Sequence, residues 1–138
     1  MGYWLFKSEP DTWGWPDQVA RGAAGEEWHG VRNYQARNNM RAMKIGDQGF
    51  FYHSNIGKEI VGIVEVSRES QHDSTTDDPR WDCVCLRAVR PLLRPVTLET
   101  CKVQPGLENM VLIHNSRLSV QPVTAEEWQI ICDLGGLG

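Results

Sequence analysis

The sequence predicts an α+β fold: a small β-barrel of five or six short strands with three or four short helices at its periphery. Three observations carry that expectation. Short aromatic or apolar runs recur along the chain, each stopped by Pro, Gly or Asn, as strands are. Helix-start signals stand at Asn33 and Thr124. The 138 residues, 41% hydrophobic and 23% charged, suit one globular domain spanning 1–138 that buries roughly 70% of its unfolded surface.

The elements follow in order. Tyr3-Trp4-Leu5-Phe6-Lys7-Ser8-Glu9 reads as a strand that Pro10 stops, with three polar residues at its C-terminal end. Thr12–Val19 suits a short helix with Pro16 near its first turn. Arg21–Gly25 is a loop, and Glu26–Gly30 leads into the next element. Asn33 caps a helix over about Tyr34–Lys44, whose Ala36, Met40 and Met43 make an apolar stripe beside the basic stripe Arg37, Arg41 and Lys44. Phe50–Asn55 reads as a strand, Asn55–Lys58 as a turn using Gly57, and Ile60–Val66 as a buried strand.

The rest is less regular. Glu69–Asp82, with five acids against Arg80, reads as an exposed loop. Trp81–Val89 alternates as a strand, after which Pro91 and Pro95 break the pattern. Leu107–Ile113 suits a short helix. Arg117–Pro122 alternates with Arg117, Ser119 and Gln121 on one face. Thr124 with Glu127 forms a capping box that opens a final helix, ended by Gly135-Gly136.

Charge and cysteine usage exclude several classes. Fourteen Lys+Arg against 18 Asp+Glu give −4, which argues against coating nucleic acid through bulk charge. No run approaches the ~18 apolar residues that span a bilayer, and the start lacks a basic leader, so a soluble, cytoplasmic protein (nuclear in a eukaryote) is expected. Cys83, Cys85, Cys101 and Cys132 are too few for a disulfide scaffold. A zinc site from Cys83, Cys85 and His72 lacks the usual spacing. The expectation is reduced cysteines packed as small hydrophobes, no metal and no cofactor.

The polar residues that look out of place stand at strand ends beside aromatics. Lys7, Ser8 and Glu9 end one strand, His53, Ser54 and Asn55 another, and Arg117, Ser119 and Gln121 share a face of a third. Trp28–Asn33 leads into the basic helix. A pocket from these elements would combine flat apolar walls with a few donors and acceptors, as a nucleobase requires. Arg32, Arg37, Arg41 and Lys44 lie in a window with no acid before Asp47 and suit a few phosphates. Three or four such contacts would give a log–log salt slope of only about −3. Half of the twelve aromatics are Trp; Trp4, Trp13 and Trp128 read as core, and Trp28, with Trp15 and Trp81, as pocket or rim.

Four blocks resemble the EVE domain of the PUA-like superfamily, which also holds the YTH and ASCH domains. They are Trp4–Pro10, Trp28–Arg41, Gly46–Asn55 and Arg117–Val123 with Trp128. The resemblance implies a compact PUA-like β-barrel with a deep pocket that accepts a flipped, modified base from DNA or RNA. Position by position, it implies pocket residues Lys7, Ser8, Glu9, Trp28, Val31, Arg32, Asn33, Asn38, His53, Ser54, Asn55, Arg117, Ser119 and Gln121. The roles we assign from residue chemistry are these: Trp28 would stack on the base, Ser8, Asn33 and Ser54 would read its edge, and Arg32, together with Arg37 and Arg41 outside the set, would meet phosphates. Val31 or Met110 would line a slot for a methyl group.

The function expected is a binding module without catalysis, any effector being a separate protein. The alternative is a small ASCH-like amidohydrolase acting on a modified nucleoside, with Lys7 as base, Ser8 as nucleophile and Glu9 as proton donor. Strand alternation weighs against it, because Lys7 and Glu9 share a side that Ser8 does not.

Overall fold

The computed structural model describes residues 2–137. Six strands form one mixed sheet: β1 (Tyr3–Ser8), β2 (Glu26–Glu27), β3 (Gln48–His53), β4 (Glu59–His72), β5 (Asp82–Thr97) and β6 (Val120–Val123). Their order is β2-β5-β4-β3-β1-β6. Five helices flank it: α1 (Trp15–Ala20), α2 (Tyr34–Ala42), α3 (Leu98–Val103), α4 (Val111–His114) and α5 (Ala125–Leu134), with a 3-10 turn at Gly22–Ala24. The α+β class and the six strands agree with the sequence, though the helices number five. Among the described residues β2 and β6 do not pair, so the sheet is curled rather than closed by a continuous ladder. The curl follows from α2, which packs against both β5 and β6, strands that three others separate.

One pair, β1 and β3, runs parallel, with Leu5 beside Phe50 and Phe6 beside Phe51. Every other pair is antiparallel. Parallel neighbours need a long crossover, and here it carries α1, β2 and α2. Helices cover both faces, so β1 and β3 are apolar on both sides. Leu5, Phe50 and Tyr52 join Cys101 of α3 and Trp128 and Ile131 of α5 in one core. Phe6 and Phe51 join Trp28 and the Ala36, Met40 and Met43 stripe in the other. This is why Phe50-Phe51-Tyr52 reads as a continuous apolar run. The Phe50 and Trp128 rings stack at 4.0 Å.

Local signals set the ends of elements. Asn33 accepts the Ala36 amide at 2.9 Å, and Thr124 and Glu127 exchange both capping-box hydrogen bonds. The β3–β4 turn puts Asn55, Gly57 and Lys58 at positive φ (65, 89 and 49°). Gly62 on β4 is needed for close approach, because a Cβ there would meet the Trp15 ring at 2.5 Å.

Four expectations change. The helix expected from Thr12 begins at Trp15, because Thr12 and Trp13 both donate their amides to the Glu9 carbonyl in a tight turn. β5 runs on through Pro91 and Pro95; beyond Leu86 its outer edge carries no partner strand among the described residues, so a missing N–H costs no ladder bond. The stretch read as an exposed loop is strand to His72, and its Asp73 and Trp81 are buried. Met110 belongs to the core with α5, not to a slot for a methyl group.

Candidate functional site

The C-terminal end of β1 opens into a cavity of about 530 Å³. Its lining comes from Lys7, Ser8 and Glu9, from Thr12 and Trp13 in the following turn, from Glu26–Arg32, and from Ser119 ahead of β6. Each wall is set by backbone bonds. The Lys7 amide donates to the Ser119 carbonyl and the Ser54 amide to Ser8 (both 2.9 Å), while the Trp28 amide donates to Val84 at 2.8 Å. The Trp28 ring stands edge-on to Phe6 and Phe51, with centroids 5.6 and 5.7 Å away. Trp28 is therefore both a wall of the cavity and a member of the core beneath it.

The polar side chains are held individually. Lys7 Nζ donates to the Ser116 carbonyl at 2.7 Å, and burial pushes its pKa down. Ser8 Oγ donates to the Trp13 carbonyl. Glu9 accepts from Asn55 Nδ2 at 2.9 Å. Glu26 pairs with Arg21 at 3.2 Å, across a largely exposed contact.

Behind the 27–32 wall lies a buried acid that fixes it. Asp73 accepts the Gly30 amide (2.8 Å), Arg32 Nη1 (3.0 Å), and both the amide and hydroxyl of Thr75 (2.8 and 2.6 Å). Burial pushes its carboxyl up, but these four donors outweigh it and hold it well below the usual range. Glu27 is similar: burial raises it, and Ser74, the Cys83 thiol and Arg68 bring it below its ordinary value. Glu27, Asp73 and Cys83 bring one ligand atom each within 4.8 Å of one another. The Cys83 thiol is pushed up to about 12 by burial and then by Glu27, both carboxylates already accept hydrogen bonds, and Arg32 and Arg68 supply the positive charge. That donor set fits a hydrogen-bonded hub better than a cation.

Of the fourteen pocket residues expected from the sequence, Lys7, Ser8, Glu9, Trp28, Val31, Arg32 and Ser119 come together around the cavity. The others lie outside its lining. Asn33 caps α2, and Asn38 accepts from Arg37. His53 Nε2 accepts the Trp15 amide at 3.0 Å. Ser54 and Asn55 brace Ser8 and Glu9 from behind. Gln121 is buried, donates to the Leu118 carbonyl at 2.7 Å, and leaves its own Oε1 without a partner; Arg117 is exposed. Thr12, Trp13, Glu26, Glu27, His29 and Gly30 were not foreseen as lining; Trp13 packs against the core as expected and lines the cavity as well.

The basic window is less free than its sequence suggests. Arg32 pairs with Asp73 at 3.0 Å and Arg41 with Asp82 at 2.6 Å, acids some forty residues away. Arg37 and Lys44 make no ion pair among the described residues.

Trp13, Trp28 and Val31 thus face a rim of separate donors and acceptors, a set that suits a flat heterocycle with hydrogen-bonding edges. A curled mixed sheet, covered by helices on both faces, with a concave site at the end of β1 next to the edge strand β6, defines the class: a compact α+β module. No helix among the described residues is long and apolar enough to cross a membrane. The chain belongs to the EVE domain family, whose model matches residues 2–134. Mouse (Mus musculus) thymocyte nuclear protein 1 is 37% identical over 96% of this chain and 73% of its own length. Among solved structures, the protein Atu2648 of Agrobacterium tumefaciens is 60% identical, with a TM-score of 0.98 over 99% of this chain and 94% of that one. The human THYN1 protein, solved in complex with DNA containing 5-methylcytosine, is 35% identical, with a TM-score of 0.89 over 98% of each chain.

Proposed function

We propose that this chain is a nucleic-acid-binding module that accepts a flipped, modified nucleobase in the cavity at the end of β1, without catalysis. The observation that carries the reading is the cavity itself: Trp13, Trp28 and Val31 supply apolar wall, and Ser8, Glu9, Lys7 and Ser119 supply edge contacts. Its volume of about 530 Å³ lies within the roughly 300–1,000 Å³ of small-molecule sites. The human relative bound to 5-methylcytosine DNA supports the same reading.

Magnitudes limit what the site does. Stacking contributes about 1–3 kcal/mol per base, and extruding a base from a duplex costs a few kcal/mol. Single-stranded or mismatched targets therefore bind best. A methyl group filling an apolar slot beside Val31 adds about 10–200-fold discrimination.

Lys7, Ser8 and Glu9 all line the cavity. That keeps the nucleoside amidohydrolase as the competing reading. The hydrogen bonds favour binding: Lys7 Nζ and Ser8 Oγ are each given to a different backbone carbonyl, not to one another. The test is a titration of matched single strands carrying cytosine or 5-methylcytosine at one position. The methylated strand is expected to bind about tenfold tighter or more. Trp28→Phe, which keeps a ring on Phe6 and Phe51, should retain binding, and Trp28→Ala should lose it. Equal affinities, unmoved by either substitution, would sink the proposal. Turnover of acylated cytidine that disappears in Lys7→Ala would replace it with the enzyme.

A further inference from the structure

Beside the cavity lies an aromatic pair that the cavity's own walls do not include. Tyr34, half exposed, stacks on buried Trp81 with centroids 5.1 Å apart and planes at 26°. Arginines lean on both rings. Arg37 Cζ lies 4.9 Å from the Tyr34 centroid, and those of Arg32 and Arg80 lie 5.5 and 5.7 Å from the Trp81 ring. Arg80 also donates to the Tyr34 hydroxyl at 3.0 Å. Arg32 is shared with the cavity lining, so the stack starts at the cavity's rim.

The charges of these arginines are not equivalent. Arg32 faces Asp73, and Arg80 faces Asp78 at 2.6 Å. Among the described residues Arg37 donates only to neutral oxygens, Asn38 Oδ1 at 2.8 Å and the Arg80 carbonyl at 3.0 Å. Its guanidinium is the one in this group that no carboxylate among the described residues neutralises, and it lies over the Tyr34 ring. A guanidinium held over a ring loses less freedom when it meets a planar anion. Phosphodiester oxygens are acceptors that such a fork meets two at a time, and they displace neutral acceptors readily.

We propose that Arg37, mounted on the Tyr34–Trp81 stack, contacts a backbone phosphate flanking the nucleotide held in the cavity. The inference rests on the base-binding reading above and adds the polymer to it: the stack gives a strand its direction across the rim, and the cavity reads one base. Phosphate contacts position a strand without reading its sequence.

The experiment compares wild type, Arg37→Gln and Lys102→Gln, a matched loss of charge on α3, which packs with the core on the other side of the sheet. Each is titrated, over a range of salt concentrations, with a single strand carrying one 5-methylcytosine, with the unmethylated strand, and with the free nucleoside 5-methyl-2′-deoxycytidine. Arg37→Gln is expected to weaken both strands about two- to fivefold. Its salt slope should be shallower by about 0.7, the share of one phosphate on a single strand. The ratio between methylated and unmethylated strands stays unchanged, the nucleoside binds as to wild type, and Lys102→Gln matches wild type throughout. A wild-type affinity and slope in Arg37→Gln, with methyl discrimination intact, overturns this inference alone. A wild type that fails to discriminate the strands overturns the reading of the cavity instead.

Discussion

His53 looked from the sequence like a pocket residue, and the structure gives its Nε2 to the amide of Trp15. That acceptor exists only on the neutral ring. Burial lowers the His53 pKa, with Glu59 opposing by a smaller amount. The unfolded chain therefore takes up the proton at higher pH than the folded one. Stability contributed by the neutral ring is complete above about pH 6.5 and is lost as pH falls from there toward the lowered folded value. Urea midpoints measured between about pH 7 and pH 5 should fall with pH in wild type. His53→Gln, an uncharged acceptor, should lack that component; superimposable profiles would mean the ring does not need to stay neutral. Asp73 titrates far below this window, because its hydrogen bonds hold its carboxyl down, so it does not confuse the measurement. Asp73 also shows why single residues were hard to read. It sits in an acid-rich stretch that looks like a solvated loop, and only the fold brings the Gly30 amide and Arg32 to it from some forty residues away. Trp13 packs against the core, as its sequence suggests, and its second role as cavity wall was hidden for a related reason: two amides turned onto the Glu9 carbonyl place it beside the cavity, and no periodicity records a turn of that kind.

Elements with local start signals were legible; elements set by their neighbours were not. The α2 and α5 starts follow from Asn33 and Thr124, because capping is a bond within four residues. β5 was cut short at its prolines because the absence of a neighbouring strand past Leu86 is a property of the whole sheet. The cap of α2 yields a prediction that separates stability from recognition. Asn33 lies outside the cavity lining, and its Oδ1 satisfies the Ala36 amide. Asn33→Ala should cost about 1 kcal/mol in denaturant unfolding. Its preference for a methylated over an unmethylated strand should equal that of wild type under folding conditions. If the preference collapses while the unfolding midpoint holds, Asn33 reads the base edge, the role its residue type suggests, and its capping role is secondary.

For the molecule as a whole, the net charge of −4 and the placement of its ion pairs decide how a polyanion is met. The sequence displayed four cations in one window, Arg32, Arg37, Arg41 and Lys44, and three or four phosphate contacts followed from counting them. The fold brings Asp73 to Arg32 and Asp82 to Arg41 across the chain, and this removes two of the four as free charges. Arg37 and Lys44 remain. Each phosphate neutralised on a single strand contributes about 0.7 to the log–log slope, so two give about −1.4 in place of about −3. If the proposed reading holds, binding governed by one base and two phosphates is weakly salt-dependent, and its selectivity survives at physiological ionic strength, where exposed charges are screened beyond about 8 Å. The measurement is the affinity for a short single strand from about 50 to 200 mM salt, the range over which a protein with many phosphate contacts loses orders of magnitude. A slope near −1.4 means that the carboxylates keep Arg32 and Arg41 in the complex. A slope of −3 or steeper means that phosphates displace Asp73 and Asp82. Because Asp73 also holds the Gly30 amide, displacing it would loosen the 27–32 wall, and strand binding would then reshape the cavity rather than fill one already formed.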